Sequence, residues 1–319
     1  MSDEVISAAA RYRRGLLRGR FRRLFSGRSV GMTAGLPIVA CFLGPALVGL
    51  FVFRLIPIAI ALIGSLYSEN LMGERIYEGL GNFRSIFSDP RFWESFRVTL
   101  IFNLFINPMK IISAFVAAML TFGRFRGAVT FRVLFFLPMT LSIGLTAILW
   151  DLLLNLHVGP VNAVLEAMGY ARQGFFTDED QALWTIMAVS TWKALGYYMI
   201  FLLAGLYNIS DEYYEAARMD GAGSLQTFFR ITLPLMRRPL AFVLVAATAI
   251  NFVFFAPVFI VTEGGPNGST NVLMYMTYKS AFTFGDWGRA MASATVILFM
   301  IGVIAIVELR LLRARSGEM

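Results

Sequence analysis

EYYEAARMDGAGSLQTFFRITLPLMRR, Glu212–Arg238, is polar, charged and turn-rich, yet it separates two of the most apolar stretches of a 319-residue chain. Its pattern is that of two short helices. Ser210 is placed as an N-cap, with Asp211 and Glu212 in the first turn, where carboxylates complement the helix dipole. Ile209 and Tyr214 hold the positions of a hydrophobic staple. Gly221 and Gly223 break the first helix. Ser224 is placed to cap a second, which carries Leu225, Phe228, Phe229 and Ile231 and which Pro234 is expected to end. A helical hairpin this short cannot bury its apolar side alone. It must dock on a membrane domain, on lipid or on a partner.

Outward from the hairpin, composition places the chain in a membrane. It is 57% hydrophobic and 15% charged, with a mean hydropathy of +0.67; soluble domains average about 45–50% apolar and about 25% charged. Six segments reach the roughly 20 apolar residues that span a bilayer: Leu36–Leu66, Val98–Phe122, Phe131–Asn155, Ala182–Leu206, Leu240–Val261 and Arg289–Leu312. These predict an all-α, polytopic membrane fold of six transmembrane helices, since barrel strands would be shorter and alternating. The expected divisions are a basic N-terminal tail (1–35), a six-span domain (36–312) containing the loop 207–239, and a short C-terminal tail (313–319). The first apolar run is longer than the core of a signal peptide, so it reads as a retained span.

Arginines set the orientation. They cluster in the N-terminal tail from Arg11 to Arg28, at Arg124, Arg126 and Arg132, at Arg218, Arg230, Arg237 and Arg238, and at Arg310, Arg313 and Arg315. These segments all fall on one side of a six-span chain, which puts both termini and the hairpin in the cytoplasm. The net charge of +8 therefore reports topology and contact with membrane lipid, not nucleic acid. One cysteine, Cys41, and one histidine, His157, exclude cysteine-based and multi-histidine metal centres. No phosphate-binding G-x-x-x-x-G-K-[ST] pattern occurs; the glycine-rich Gly264–Thr270 stretch lacks its lysine. No nucleophile–base set occurs either. The chain reads as a non-enzyme that binds no cofactor and draws energy from another protein.

The hairpin resembles a known family. Glu215, Ala216 and Ala217, then Gly221, then Ile231, Leu233 and Pro234 look like the "EAA" loop of the permease subunits of bacterial ATP-binding-cassette importers. Asp220-Gly221-Ala222 and Phe228 are similar to the maltose-type, carbohydrate-uptake branch. Residues 81–100, 262–282 and 285–299 extend the resemblance over nearly the whole chain. It implies the type I importer permease fold in a bacterial inner membrane. It implies two cytoplasmic ATPase subunits carrying ATP and magnesium, a second homologous permease, and an extracytoplasmic substrate-binding protein; the Gly264–Thr270 loop reads either as an ordinary turn or as a contact for that protein. It also implies that Glu215, Ala216, Ala217, Asp220 and Gly221 form the coupling helix seated in an ATPase cleft.

Polar residues at mid-depth are the remaining signal. Asn103, Asn107 and Lys110 share one helical face. A lysine at a helix centre costs about 2.5–3.5 kcal/mol on insertion, so this face should meet protein or water. Pro108 is expected to break the helix locally. In the fourth span Lys193 lies beside Trp192 and near Tyr197; in the fifth, Asn251 precedes Phe252, Phe254 and Phe255. Aromatic faces with a few donors suit a sugar. The resemblance places a carbohydrate site in segments like Ser190–Tyr197 and Ala247–Ala256, making Trp192, Lys193, Tyr197, Asn251 and Phe255 the expected substrate contacts; ordinary packing competes for each. With no carboxylate read near the two lysines, an anionic sugar stays open. The rival function is an ion-coupled secondary transporter, which requires buried carboxylates and paired interrupted helices; neither is evident in the sequence.

Overall fold

The computed structural model describes residues 32–69, 74–123 and 125–314. The expected N-terminal tail up to residue 31, Arg124 and residues 315–319 lie outside the described residues. The described residues form two units, divided between Ile60 and Ala61. The first holds α1 (Met32–Leu50), a π-helical turn at Phe51–Leu55, and the start of α2 (Ile56–Gly64).

The second unit opens with a small antiparallel hairpin, β1 (Tyr67–Glu69) and β2 (Arg75–Tyr77), in which Tyr67 faces Tyr77. Helices follow: α3 (Gly81–Phe87), α4 (Pro90–Thr121), α5 (Ala128–Thr140), α6 (Ile143–Leu154), α7 (Pro160–Ala167), α8 (Glu179–Tyr207), α9 (Asp211–Met219), α10 (Ser224–Thr227), α11 (Leu233–Leu235), α12 (Arg237–Phe252), α13 (Leu273–Tyr278) and α14 (Trp287–Ala314). The all-α expectation holds, with the three-residue strands as its one exception among the described residues. Asn82 pins that hairpin: its buried amide donates to Ser65 O and Tyr67 O, both at 2.9 Å.

Among the described residues, four helices are long and apolar enough to cross a membrane: Cys41–Gly64, Pro90–Thr121, Glu179–Tyr207 and Trp287–Arg310. Two bent pairs raise the number to as many as six if each pair is one span. The third expected span is one such pair, bent by 97° between α5 and α6. Ser142 starts the new helix there, its Oγ accepting from Leu145 N at 3.1 Å. The fifth also differs from expectation: α12 ends at Phe252, short of Val261, and the chain is non-helical through Phe255. Pro257 supplies the reason, because its ring would clash with the Val253 carbonyl of a continuous helix. Pro108, in contrast, does not break α4, which runs unbroken past it. Only the Leu104 carbonyl loses its helical donor there, a loss membrane helices tolerate when neighbours pack around them.

α4 is the central packing element. Ala114, Ala117 and Ala118 keep one face of it shallow, so that Met199, Leu202 and Leu206 of α8 and Val243 and Ala247 of α12 close on it. α5 and α8 also meet closely at one glycine. A Cβ on Gly196 would run into the backbone of Phe135 and Phe136.

Candidate functional site

The three polar residues of α4 are buried, as their shared face requires: Asn103, Asn107 and Lys110 are only 6%, 5% and 3% exposed. Two of them meet α12. Lys110 Nζ donates to Asn251 Oδ1 at 2.6 Å, and Asn251 Nδ2 donates to Asn107 Oδ1 at 2.7 Å. Asn107 Nδ2 then donates to Thr248 Oγ1 at 2.9 Å, and Thr248 Oγ1 donates to Glu308 Oε1 of α14 at 2.8 Å. Five side chains on three helices thus form one continuous hydrogen-bonded chain, with a lysine at one end and a glutamate at the other. It lies directly below the break in the fifth span. Glu308 is a carboxylate that the sequence reading did not include; it is linked to Lys110 only through Asn251, Asn107 and Thr248, and Lys193 meets backbone carbonyls instead. The sequence carried the signal, an acidic residue inside the last apolar run, and Thr248 could have been found as the residue one helical turn before Asn251.

The expected substrate contacts do not converge on one point. Asn251 is buried at 2% exposure with both ends of its amide engaged. Lys193 serves the backbone. Its ammonium lies 3.3, 3.4 and 2.5 Å from the carbonyls of Pro138, Met139 and Leu141, the freed end of α5 at the 97° bend. A cation at a helix C-terminus answers both the unpaired carbonyls and the dipole. Trp192 stands edge-on to Trp150 with ring centroids 5.3 Å apart. Tyr197 meets Phe201 at 5.0 Å, and Phe201 meets Phe242 of α12 at 5.6 Å. Phe255, in the fifth-span break, stacks on Phe259 at 5.2 Å and contacts Tyr278 at 4.7 Å. Trp192 remains 37% exposed and Tyr197 and Phe255 are half-buried, so these three aromatics offer surface while the two polar members are occupied internally.

The 212–238 hairpin is built largely as its sequence indicates. Ser210 Oγ accepts from Glu212 N at 3.4 Å. α9 ends in a Schellman turn: Gly221 N donates to Arg218 O and Ala222 N to Ala217 O, with Gly221 at φ +74°. Two details differ. Gly223, not Ser224, occupies the cap of α10, without a side-chain bond. Pro234 does not end the second helix; the backbone widens into a π-turn over Phe228–Thr232, passes Pro234 and bends by 63° at Met236. The wide turn relieves the clash a proline makes with the carbonyl one turn earlier. Phe228 anchors the hairpin on Phe115 of α4, centroids 5.8 Å apart. Of the expected coupling residues, Glu215, Ala216, Asp220 and Gly221 are exposed, whereas Ala217 is turned inward and buried. Met219 and Leu225 stand out at 88% and 74% exposure.

At the far end of the bundle Asp89 caps α4 by accepting from Arg91 N at 3.0 Å and pairs with Arg289 of α14 at 2.7 Å. Burial pushes its carboxyl upward, but the Arg289 hydrogen bond, the Arg91 amide and both guanidiniums outweigh that and hold it below the ordinary carboxylate value. The Gly264–Thr270 loop is fastened by its own side chains: Thr270 Oγ1 lies 2.7 Å from Gly265 O, and Asn267 Nδ2 donates to Glu179 Oε2 at 2.8 Å.

Residues 95–315 match the family described as "Binding-protein-dependent transport system inner membrane component". The chain belongs to this family. Among its relatives is the "Probable ABC transporter permease protein YurN" of Bacillus subtilis (strain 168), 32% identical over 283 residues that cover 87% of this chain and 96% of that one. YesP of the same organism, also described as a probable ABC transporter permease protein, is 33% identical over 271 residues, covering 83% and 87%. The maltose/maltodextrin transport system permease protein MalF of Escherichia coli (strain K12) is 32% identical over 259 residues, covering 76% of this chain but 50% of MalF, so the chain spans about half of MalF's length. Among solved structures, a chain of a bacterial alginate ABC transporter, in complex with an alginate pentasaccharide-bound periplasmic protein, superposes with a TM-score of 0.74 at 22% identity, covering 88% and 95% of the two chains. The fold is that of type I importer permeases. As in the rest of the family, this subunit is a transport component and not an enzyme.

Proposed function

We propose that the chain is the permease subunit of an ATP-driven importer for a sugar or sugar derivative. It works by alternating access and is coupled to two separate ATPases through the hairpin 207–239. The observation that carries this reading is the hairpin itself. Ala217 and Phe228 seat it on the helical body, while Glu215, Ala216, Asp220 and Gly221 are left facing outward on a family member. A second, homologous permease and an extracytoplasmic binding protein complete the assembly. The hairpin and both termini face the cytoplasm, in keeping with the arginine distribution. ATP and magnesium belong to the ATPases.

Sugar is favoured as cargo by MalF, a maltose/maltodextrin permease, among the relatives, and by the exposed aromatic faces of Trp192, Tyr197 and Phe255. The lysines give no argument for an anionic cargo, since Lys193 is occupied by carbonyls and Lys110 by Asn251. Purification with the neighbouring gene products, followed by ligand-stimulated ATP hydrolysis over a panel of neutral and acidic saccharides, tests the reading. No stimulation by any binding-protein-delivered saccharide overturns the substrate class. The ion-coupled alternative draws support from Glu308 and from the interrupted third and fifth spans. Uptake that stops on collapse of the proton gradient but survives ATP depletion would establish it in place of the ATP-driven reading.

A further inference from the structure

We propose that a groove between the end of α8, the lead into α9 and the start of α12 binds one anionic glycerophospholipid of the inner leaflet. The proposal rests on the orientation given above, with the hairpin in the cytoplasm. The groove has a volume of about 700 Å³. Three observations point to a lipid. First, the lining changes character with depth. Asn208, Ser210, Tyr213 and Arg238 stand at the hairpin end, Phe201 and Phe242 at the membrane end. Phe242 lies about 6 Å beyond Arg238 along α12, and Phe201 about 9 Å before the end of α8 at Tyr207. The two rings meet with centroids 5.6 Å apart, and both stay exposed. Second, Arg238 is the one charged side chain that lines the groove among the described residues. It is exposed, and neither it nor the side chains of Asn208 and Tyr213 has a hydrogen-bond or ion-pair partner among those residues. Third, the groove has a fixed floor. Gly205 and Pro239 meet there so closely that a Cβ on Gly205 would fall 2.7 Å from Pro239 Cγ, so a ligand rests on the two helices and does not pass between them.

A phosphodiester at Arg238 gains a charge-assisted hydrogen bond, with Asn208 and Tyr213 as further donors. The start of an acyl chain then covers the Phe201 and Phe242 rings and removes their surface from water. A headgroup without net negative charge leaves the guanidinium unanswered. A protein occupant would have to present an anion at the rim and an apolar wedge deeper, at the level of the bilayer; an anionic lipid carries both at that spacing. Asn208 and Ser210 lead into the hairpin, and Leu235 and Arg238 lead out of it. The bound lipid therefore touches both ends of the hairpin and steadies the 63° bend between them.

The test uses the full chain in the complex purified with its neighbouring gene products. The complex is placed in nanodiscs of phosphatidylcholine, alone or mixed with phosphatidylglycerol. Lipid carried over into detergent is counted by native mass spectrometry, and melting temperature is read on the same samples. Wild type should retain phosphatidylglycerol in preference to phosphatidylcholine and melt higher in the mixed discs. Arg238→Gln should lower phosphatidylglycerol retention about 5-fold, the weight of one cation at an anionic membrane surface, and remove the gain in melting temperature. Arg238→Lys should keep most of both. Arg230→Gln, at an exposed hairpin position outside the groove, should behave as wild type. Retention by Arg238→Gln equal to wild type overturns the site and leaves the groove to a protein partner. An equal loss in Arg230→Gln overturns it in favour of general surface charge. Equal retention of the two lipids by wild type overturns the anionic headgroup. The orientation is checked apart from these counts, since both faces of a nanodisc are open. Leu225→Cys on the exposed hairpin, in a Cys41→Ser background, should resist a membrane-impermeant maleimide in intact spheroplasts; labelling there refutes the cytoplasmic hairpin.

Discussion

The third and fifth spans are both interrupted, and a lysine lies beside each interruption. At the third, Lys193 aims its ammonium at the last carbonyls of α5 and holds a 97° bend open. At the fifth, Lys110 reaches a side chain, Asn251, which passes the interaction on through Asn107 and Thr248 to Glu308. The first lysine satisfies backbone and ends there. The second belongs to a series whose members depend on one another. The same residue type can thus cap a freed helix end or join three helices, and the partner decides which.

The largest effect should come from closing the space that lets α5 and α8 meet. A side chain on Gly196 would run into the Phe135 backbone, so Gly196→Leu should cost about 3 kcal/mol, seen as loss of assembled complex on size exclusion. Next is Lys193→Met, which strips a donor from the freed carbonyls of α5. It should cost about 1–3 kcal/mol, read as a lower melting temperature in detergent. A Lys193→Met variant that melts like the wild type would erase the contrast between the two lysines. Gly221→Val comes third. Its φ of +74° disfavours a branched residue by about 1–2 kcal/mol. Uptake should fall much further than melting temperature, because the change sits on an exposed turn; equal falls in both would point to a merely structural hairpin. The smallest effect belongs to Asp89→Asn, below about 1 kcal/mol for a partly exposed pair. Because the folded carboxyl is held below its ordinary value, the pairing stabilises at neutral pH, at full strength above the unfolded value of about 3.9, and is lost as pH falls through the lower folded value. In a thermal-melt series from pH 7 to pH 3 the gap between wild type and variant should narrow toward the acid end.

Much of this was legible in the residues. The hairpin announced itself through Ser210, the acidic first turn and Gly221, because capping and left-handed turns are local matters settled within a few residues. The inward face of α4 was readable from the spacing of Asn103, Asn107 and Lys110. Where the reading failed, a proline was usually involved. Pro108 passes unnoticed inside α4, Pro234 is absorbed by a π-turn, and Pro257 cuts a span that the hydropathy pattern runs straight through. A proline's local cost is fixed, but surrounding packing decides whether the helix breaks, widens or continues.

The sequence by itself determined which segments can lie in lipid, where the polar hairpin interrupts them, and that a buried lysine on α4 had to find a partner. Those properties depend on hydropathy, periodicity and turn chemistry over short windows. Only the tertiary structure decided that Lys110 finds Asn251, that Glu308 closes the same series, and that Lys193 is taken up by carbonyls 52–55 positions earlier. Such pairings join residues far apart along the chain, and helix packing, not local preference, chooses among the partners that chemistry would allow.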